Sequence, residues 1–499
     1  MGKSIEQWVS LMTRWFDEDL TRINKLRSYT TGSAVLPELN HNTSQSWKKF
    51  QKMALTNAGL LIVSTLAERI IPNGIIIGDQ ETGKEVEIAR RIWRDNRMDV
   101  VVQDALRDAF TLGKGYLLIT EDDETGKAVI TRERPEMFYA VQDPLKPWKA
   151  LAAVKVWRDP VGENDYLILW ADGLTARFSR KTTYMSRKLE TVTYGWKLDP
   201  QTVRPYDGEV PVVILENRDG KGEFEDHLHL IDRINWIILQ MLATTSMQAF
   251  KQRALQASAE TGGLPQKDAD GNDIDYSRIF EPAPGALWEL PPGISIWESS
   301  QTDVTPMLSQ IKSAWQELAA HTSTPLSTML PDAANQSAAG AEAPQRSLVD
   351  KARDRISRVK PALAVCMVKA LAVENVPVND TLEVLFEPPH AVSMTEKYAA
   401  AAQARAAGES LETIQRNILG YSPQQVAADK ARRAADQLLG MFQTGVNSER
   451  TRGSNPPISG GVQTDSSTTP TMGENSLGRN DLSESGSGKD TRKRDIAKS

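Results

Sequence analysis

The chain has 499 residues, 40% of them hydrophobic and 25% charged, with a formal net charge of -6 and a pI near 5.7. That length exceeds one ordinary core, so two or three packed units are expected, and the acidic balance argues against a protein that grips nucleic acid over its whole surface. Cys366 is the single cysteine, which excludes intramolecular disulfides and a four-thiolate zinc site.

The first helix is carried by Trp8, Leu11, Met12, Trp15 and Phe16 at helical spacing, and a polar stretch from Tyr29 to Ser46 separates it from a helix running through Leu66. Residues 75 to 225 mix helix with strand. Arg90 to Phe110 reads as one helix, whereas Tyr116–Thr120, Ala128–Thr131, Ala150–Trp157, Asp165–Trp170, Thr175–Phe178 and Val210–Leu215 read as strands between Asp, Gly and Pro turns. The short connections predict an antiparallel sheet and an α+β class.

From Asp226 to about Ser258 a long helix is predicted. Ile231, Ile234, Trp236, Ile238, Met241, Leu242, Met247 and Phe250 nearly cover its circumference, so it needs neighbours on most sides. Between Glu260 and Gln301, Gly262-Gly263, Asp270-Gly271, Pro284-Gly285 and Pro291-Pro292-Gly293 set turns, with Trp288 and Trp297 on short strand-like runs. This predicts a small β-rich module at the tip of a helical hairpin. The returning helix opens at Thr302 or Asp303 and spaces Val304, Met307, Leu308, Ile311, Trp315 and Leu318 along one face. Pro325 and Pro331 stop it, and Asn335 to Gly340 is polar and small before a helix from about Glu342 to Ala372, whose half from Arg346 to Lys360 is markedly basic. Asp380 to Glu387 supplies a late strand that would rejoin the earlier sheet. Thr395 to Phe442, rich in Ala, Gln and Arg, predicts a helical cap. Beyond Gln443 the composition predicts a disordered tail to Ser499.

The residues offer little chemistry. His227 and His229 sit two apart on a helix and cannot chelate together, and a structural role is expected for each of the five histidines. Asp268 to Asp275 resembles a calcium loop, but Gly271 falls at the fourth position instead of the sixth and Ile279 replaces the closing glutamate. Gly486-Ser-Gly-Lys489 follows no strand, has Ser483 where a phosphate loop has its first glycine and has Asp490 where Ser or Thr would bind magnesium. Gly113-Lys-Gly115 lacks the third glycine of a dinucleotide fingerprint. Cys366, within an apolar helix, reads as a buried inert thiol. The residues after Met1 lack an apolar signal core, Glu6 breaks the myristoylation pattern, and no stretch is long and apolar enough for a membrane span. A cytosolic product without a cofactor or metal is expected.

The order of elements resembles that of tailed-bacteriophage portal proteins, the head-to-tail connectors. Trp47 to Asn57 followed by Val63 to Gly74, Ala105 to Tyr116 leading into Leu117-Leu-Ile-Thr, and Ser393 to Ile414 ending in Leu419-Gly-Tyr-Ser-Pro423 are similar to stretches of long-tailed-phage portals. The resemblance spans about residues 10 to 440. It implies a portal-like α+β fold: wing (1–225), first stem helix (226–258), clip (259–302), second stem helix (303–323), tunnel loop (324–341), long wing helix with a returning strand (342–390), helical crown (391–442) and the tail (443–499).

The resemblance further implies a cyclic homo-oligomer, of twelve subunits, at one capsid vertex of the virion, assembled in the host cytoplasm. Double-stranded DNA would enter and leave through its channel. Capsid and scaffolding proteins, the terminase large subunit, and then neck and tail adaptors would be its partners, with packaging energy supplied by the terminase. By the same resemblance Asn335, Gln336 and Ser337 would line the channel, small polar groups touching a sliding duplex without base-specific bonds. Arg346, Lys351, Arg353, Arg355 and Arg358 are open to two readings. They would meet phosphate or a neighbouring subunit, or they would pair locally with Asp350 and Asp354 on a solvated face. An enzyme with an unrecognised site and a capsid or adaptor structural protein are the alternative classes.

Overall fold

The computed structural model describes residues 3–34, 45–78, 83–159, 161–181, 191–206, 208–249, 253–257, 294–298, 303–330, 338–389 and 394–450, together with 263, 264, 266, 267, 271 and 273. The tail beyond residue 450, Trp288 and most of Asp268–Asp275 lie outside the described residues. Two compact units divide at Arg433. The second is helical where it is described, and apart from the end of the last helix everything below concerns the first.

Helix α1 (Ile5–Thr30) starts at a capping box: Ser4 Oγ accepts from the Gln7 amide at 3.2 Å, and Gln7 Oε1 accepts from the Ser4 amide at 2.9 Å. Helices α2 (Gln45–Ala54) and α3 (Ala58–Ala67) lead into strand β1 (Pro72–Ile77). The helix expected over 90–110 is two, α4 (Lys84–Asp95) and α5 (Met98–Leu112), because Arg97 takes a left-handed conformation, φ 51°, between them. The apolar spacing runs through this break, which is why the sequence merges them.

Strands β2 (Lys114–Glu121), β3 (Ala128–Glu133), β4 (Phe138–Asp143), β5 (Lys146–Arg158), β6 (Asn164–Ala171), β7 (Leu174–Lys181), β8 (Lys197–Leu198), β9 (Arg204–Pro205) and β10 (Val212–Glu216) follow. They form a three-stranded sheet, β10-β2-β3, and a six-stranded sheet, β4-β5-β6-β7-β8 with β9 on β7, and every pairing is antiparallel. Strand β4 was not expected, since Phe-Tyr-Ala-Val-Gln-Asp is short and follows a turn.

Four layers result, each set by strand alternation. The first half of α1, with Trp8, Met12, Phe16 and Leu20, covers Val154, Val156, Leu167 and Phe178 of the larger sheet. The other face of that sheet places Phe138, Ala153 and Trp170 against Tyr116, Leu118 and Val212 of the smaller one. Leu117, Ile119, Val213 and Leu215 then face a main core built from α3, α5 and the long helix described next.

Helix α6 (Leu228–Ala249) is shorter than predicted. Arg253–Ala257 is instead strand β11, paired with β12 (Ile294–Glu298) through Leu255 opposite Ile296. Arg-Ala-Leu-Gln-Ala favours helix on its own, so cross-strand pairing has overridden local propensity. Helix α7 (Thr305–Thr322), a short turn α8 (Leu326–Met329) and the 36-residue α9 (Ala338–Val373) follow. The late strand, β13 (Leu382–Phe386), does not rejoin the larger sheets; it pairs with β1, Ile75 opposite Val384, under α9. Helices α10 (Met394–Ala406), α11 (Leu411–Asn417) and α12 (Pro423–Arg450) end the described chain.

The turn from α5 into β2 depends on glycine for two reasons. Gly113 has φ 92°, and a Cβ at Gly115 would run into the backbone carbonyl oxygen of Ala105. Gly115→Ala is expected to cost about 3 kcal/mol in urea unfolding, because backbone must move. Gly173→Ala, where φ is 72° but nothing lies within 4 Å, should cost about 1 kcal/mol. Equal losses would contradict the steric account.

Candidate functional site

The loop from Asn217 to His227 carries a buried acid. Glu223 has a side chain 3% exposed, and its amide donates to Phe110 O at 2.7 Å at the end of α5. Gly222 makes the approach possible, since a Cβ there would strike Thr111 O. Arg22 of α1 clamps the same loop, donating to Glu225 Oε1 at 2.7 Å, to Leu112 O at 3.1 Å and to Gly220 O at 3.1 Å.

Helix α9 answers the acid with two cations one turn apart. Lys351 Nζ stands 2.7 Å from Glu223 Oε2, and Arg355 donates to both carboxylate oxygens at 2.6 and 3.2 Å. Lys351 also donates to Thr322 O at 2.8 Å, which ties in the last turn of α7. One ion triad therefore joins the α/β body, α7 and α9. Burial raises the Glu223 carboxyl, but the two cations outweigh it and hold the group below the usual carboxylate range. Lys351 shares that single anion with Arg355, so burial draws its ammonium below the usual lysine value.

Beside the triad lies a polar cleft of about 540 Å³, with Lys221, Asp226 and Asp354 on its walls. His227, just before α6, and His321, near the end of α7, meet there with ring centroids 5.3 Å apart at 32°. Burial, and then His321, hold the His227 imidazole below its ordinary value; Asp226 opposes this, and His229 and Lys351 add to it. Among the described residues no group of three or more His, Cys, Asp or Glu is arranged to hold a metal. No helix among them is long and apolar enough to cross a membrane. Burial pushes the Cys366 thiol up to about 12 against a small opposing effect of Lys369, so it stays protonated.

The predicted site residues are distributed unevenly. Lys351 and Arg355 are committed to Glu223, and Arg355 also to Asp354. Arg353 pairs with Asp350 at 3.2 Å and Arg358 with Asp354 at 3.2 Å on the solvent side of α9, where Arg346 is also exposed. Asn335, Gln336 and Ser337 lie outside the described residues. Glu223 was missed by sequence reasoning because 128 positions separate it from Lys351. The available signal was the spacing of Lys351 and Arg355, two cations on one helical turn that bury together only around a shared anion.

Helices α6 and α7 are anchored at one end of their pairing. Tyr29 donates to Asp232 at 2.7 Å, Asn235 Oδ1 accepts from the Thr56 amide and hydroxyl at 3.0 and 2.8 Å, and Arg233 pairs with Glu317. Leu230, Ile231, Ile234, Leu318 and Ala319 are buried there. Toward β11 and β12 burial fades: Met241, Leu242, Met307 and Ile311 are half-buried, and Leu308 is 51% exposed.

Residues 13–437 match the family described as Phage portal protein, SPP1 Gp6-like. The chain belongs to that portal family. It is 26% identical over 248 residues to the Portal protein of Mycobacterium phage D29, an alignment covering 46% of this chain and 48% of that one, so the chain spans about half the length of the curated relative it matches. Among solved structures, a chain of the virion of a native gene transfer agent particle is 14% identical with a TM-score of 0.41, over 80% of this chain and 99% of that one. A chain of the neck of the native particle, computed with C12 symmetry, is 13% identical with a TM-score of 0.42, over 79% and 98%. In this portal-family chain the matched span takes in the triad, both helices of the hairpin and all of α9.

Glu223→Gln leaves buried Lys351 without an anion and Arg355 with Asp354 alone, and should destabilise the chain by about 3–5 kcal/mol. Lys351→Met should cost clearly less, because Arg355 still neutralises the carboxylate; similar losses in urea unfolding would contradict the shared-anion account. The folded imidazole of His227 titrates below its unfolded value, so its contribution to stability is complete above the ordinary imidazole range and is lost as pH falls through the lowered folded value. His227→Gln should therefore lose less stability than the parent between about pH 7.5 and about pH 5. An unchanged slope would show that His227 is not the group responsible.

Proposed function

We propose that copies of this chain close into a ring at one vertex of a phage capsid and form the channel through which double-stranded DNA is packaged and ejected. Membership of the portal family over residues 13–437 carries this reading. The apolar residues left open on α6 and α7 support it, since a ring gives each helical pair the neighbours that one subunit lacks. Twelve subunits is the number implied by the portal resemblance.

In this reading residues 1–225 are the wing, α6 and α7 the stem, and the segment around β11 and β12 the clip that meets the terminase large subunit and later the neck and tail adaptors. Residues 324–341 are the tunnel segment, which includes the short turn α8 and the first turn of α9 where a loop was expected; the rest of α9 with β13 is the long wing helix and returning strand, and 391–442 the crown. Asn335, Gln336 and Ser337 line the channel. Small polar side chains there would let a duplex slide, because contacts to the backbone carry no sequence information. Arg346, Arg353 and Arg358, on the solvent side of α9, would meet phosphate or a neighbouring subunit, Arg353 beside Asp350 and Arg358 beside Asp354, while Lys351 and Arg355 stay in the triad. Capsid and scaffolding proteins would hold the ring during assembly in the host cytoplasm, and the ATPase partner would do the chemical work.

Removing the chain from an assembling phage should leave heads without DNA; filled heads would contradict the proposal. A deletion of Gln336 to Gly340 that still permits ring assembly should sharply reduce DNA filling, measured as encapsidated nuclease-resistant DNA. Normal filling would remove the channel-lining role of the loop.

A further inference from the structure

The polar cleft beside the triad is where α6 begins and α7 ends. His227 closes the single turn Glu225–His227 that leads into α6, and His321 stands in the last turn of α7, just before Ser323 takes a left-handed conformation, φ 52°. With ring centroids 5.3 Å apart, the two helix ends touch through imidazoles, the side chain whose charge changes nearest neutral pH. The next residue is tied elsewhere. Thr322 O accepts from Lys351 Nζ at 2.8 Å, and the buried Thr322 hydroxyl donates to Leu318 O at 2.8 Å. The last turn of α7 therefore carries its contact to α6 on one residue and its tie to α9 on the following one.

The charged groups around His227 come from four elements. Its own loop and turn bring Lys221, Glu223, Glu225 and Asp226, α6 brings His229, α7 brings His321, and α9 brings Lys351, Asp354 and Arg355. Every carboxylate in that set already has a cation. Glu223 holds Lys351 and Arg355, Glu225 holds Arg22, Asp226 holds Lys221 at 2.8 Å, and Asp354 holds Arg355 and Arg358. A proton gained by His227 would find no acid to itself. It would meet the second imidazole and Lys351, and it would lie at the amide end of α6, where a cation is disfavoured. The other ties between α6 and α7, Arg233 with Glu317 and the packing of Ile231 and Ile234 with Leu318, carry no imidazole.

We propose that His227 and His321 form a pH-operated latch on the end of α7: with the rings neutral the last turn of α7 is held between α6 and Lys351, and protonation of His227 releases that turn while the Glu223–Arg355 pair keeps α9 in place. The release is local, because the sheets and the rest of the helical pairing contain no group of this kind at the contact. From the released turn the chain runs through Thr324 and Pro325 into α8, so the segment that follows α7 gains freedom as pH falls. The latch rests on the histidine contact and the committed acids around it, and does not depend on the portal reading.

Hydrogen–deuterium exchange of the full chain, read by mass spectrometry and corrected for the intrinsic pH dependence of exchange, tests it. Between about pH 7.5 and about pH 5.5 the protection of amides in the last turn of α7 should fall by about fivefold, while β5 and β6 keep theirs. His227→Phe retains a ring that cannot take a proton, so the fall should shrink to less than about twofold; His227→Gln carries the same expectation if the phenylalanine variant folds poorly. Unchanged protection of the α7 end in the parent chain would overturn the latch. An equal fall in His227→Phe and His227→Gln would overturn it as well, since another group would then be responsible. Loss of protection in β5 and β6 together with α7 would show global unfolding in place of a local release, and would also overturn it.

Discussion

A buried carboxylate imposes its own architecture. Glu223 is removed from water, so its charge must be matched by groups that are themselves held in place, and α9 supplies both from one turn. Because Lys351 also reaches the last turn of α7, and Arg22 clamps the same loop to α1 and α5, the helices α1, α5, α7 and α9 are tied together around the loop that carries that acid. The end of α7 and the basic half of α9 are therefore held at fixed positions by the triad. Buried ion pairs contribute little net stability compared with an apolar replacement, so the gain here is geometric: the triad specifies one arrangement of α7 and α9.

The same physical reasoning explains what the single chain leaves unfinished. Burial along α6 and α7 is complete near the triad and declines toward β11 and β12, while α9 changes from a charged to an apolar outer face at Pro361. These features lie on different parts of the subunit, and a ring of identical copies accounts for them together, because every subunit then presents one surface to the copy ahead and another to the copy behind.

Local pattern made much of the fold legible. Alternation identified β2, β3, β5, β6, β7 and β10, and helical spacing identified α1, α7 and most of α9, because those signals are written within a few residues. The errors arose where distant chain decides. Arg253–Ala257 has helix-forming side chains but pairs with Ile294–Glu298; β13 seeks β1 instead of the sheet nearer in sequence; Arg97 breaks a helix whose apolar spacing continues. The site divides in the same way. The basic character of Arg346 to Lys360 was plain, yet which of those cations face inward depended on Glu223, an acid in a loop with no pattern of its own. The order of elements, more than any one motif, pointed to the portal family.

The central claim is a closed ring of identical subunits, and the mass and shape of the purified full-length protein test it most directly. Twelve copies of a 55.2 kDa chain give about 662 kDa. Light scattering near that mass, with negative-stain images of rings around a central hole, is the predicted result. A compact monomer or two-fold dimer at every concentration, including in the presence of capsid and scaffolding proteins, would contradict it.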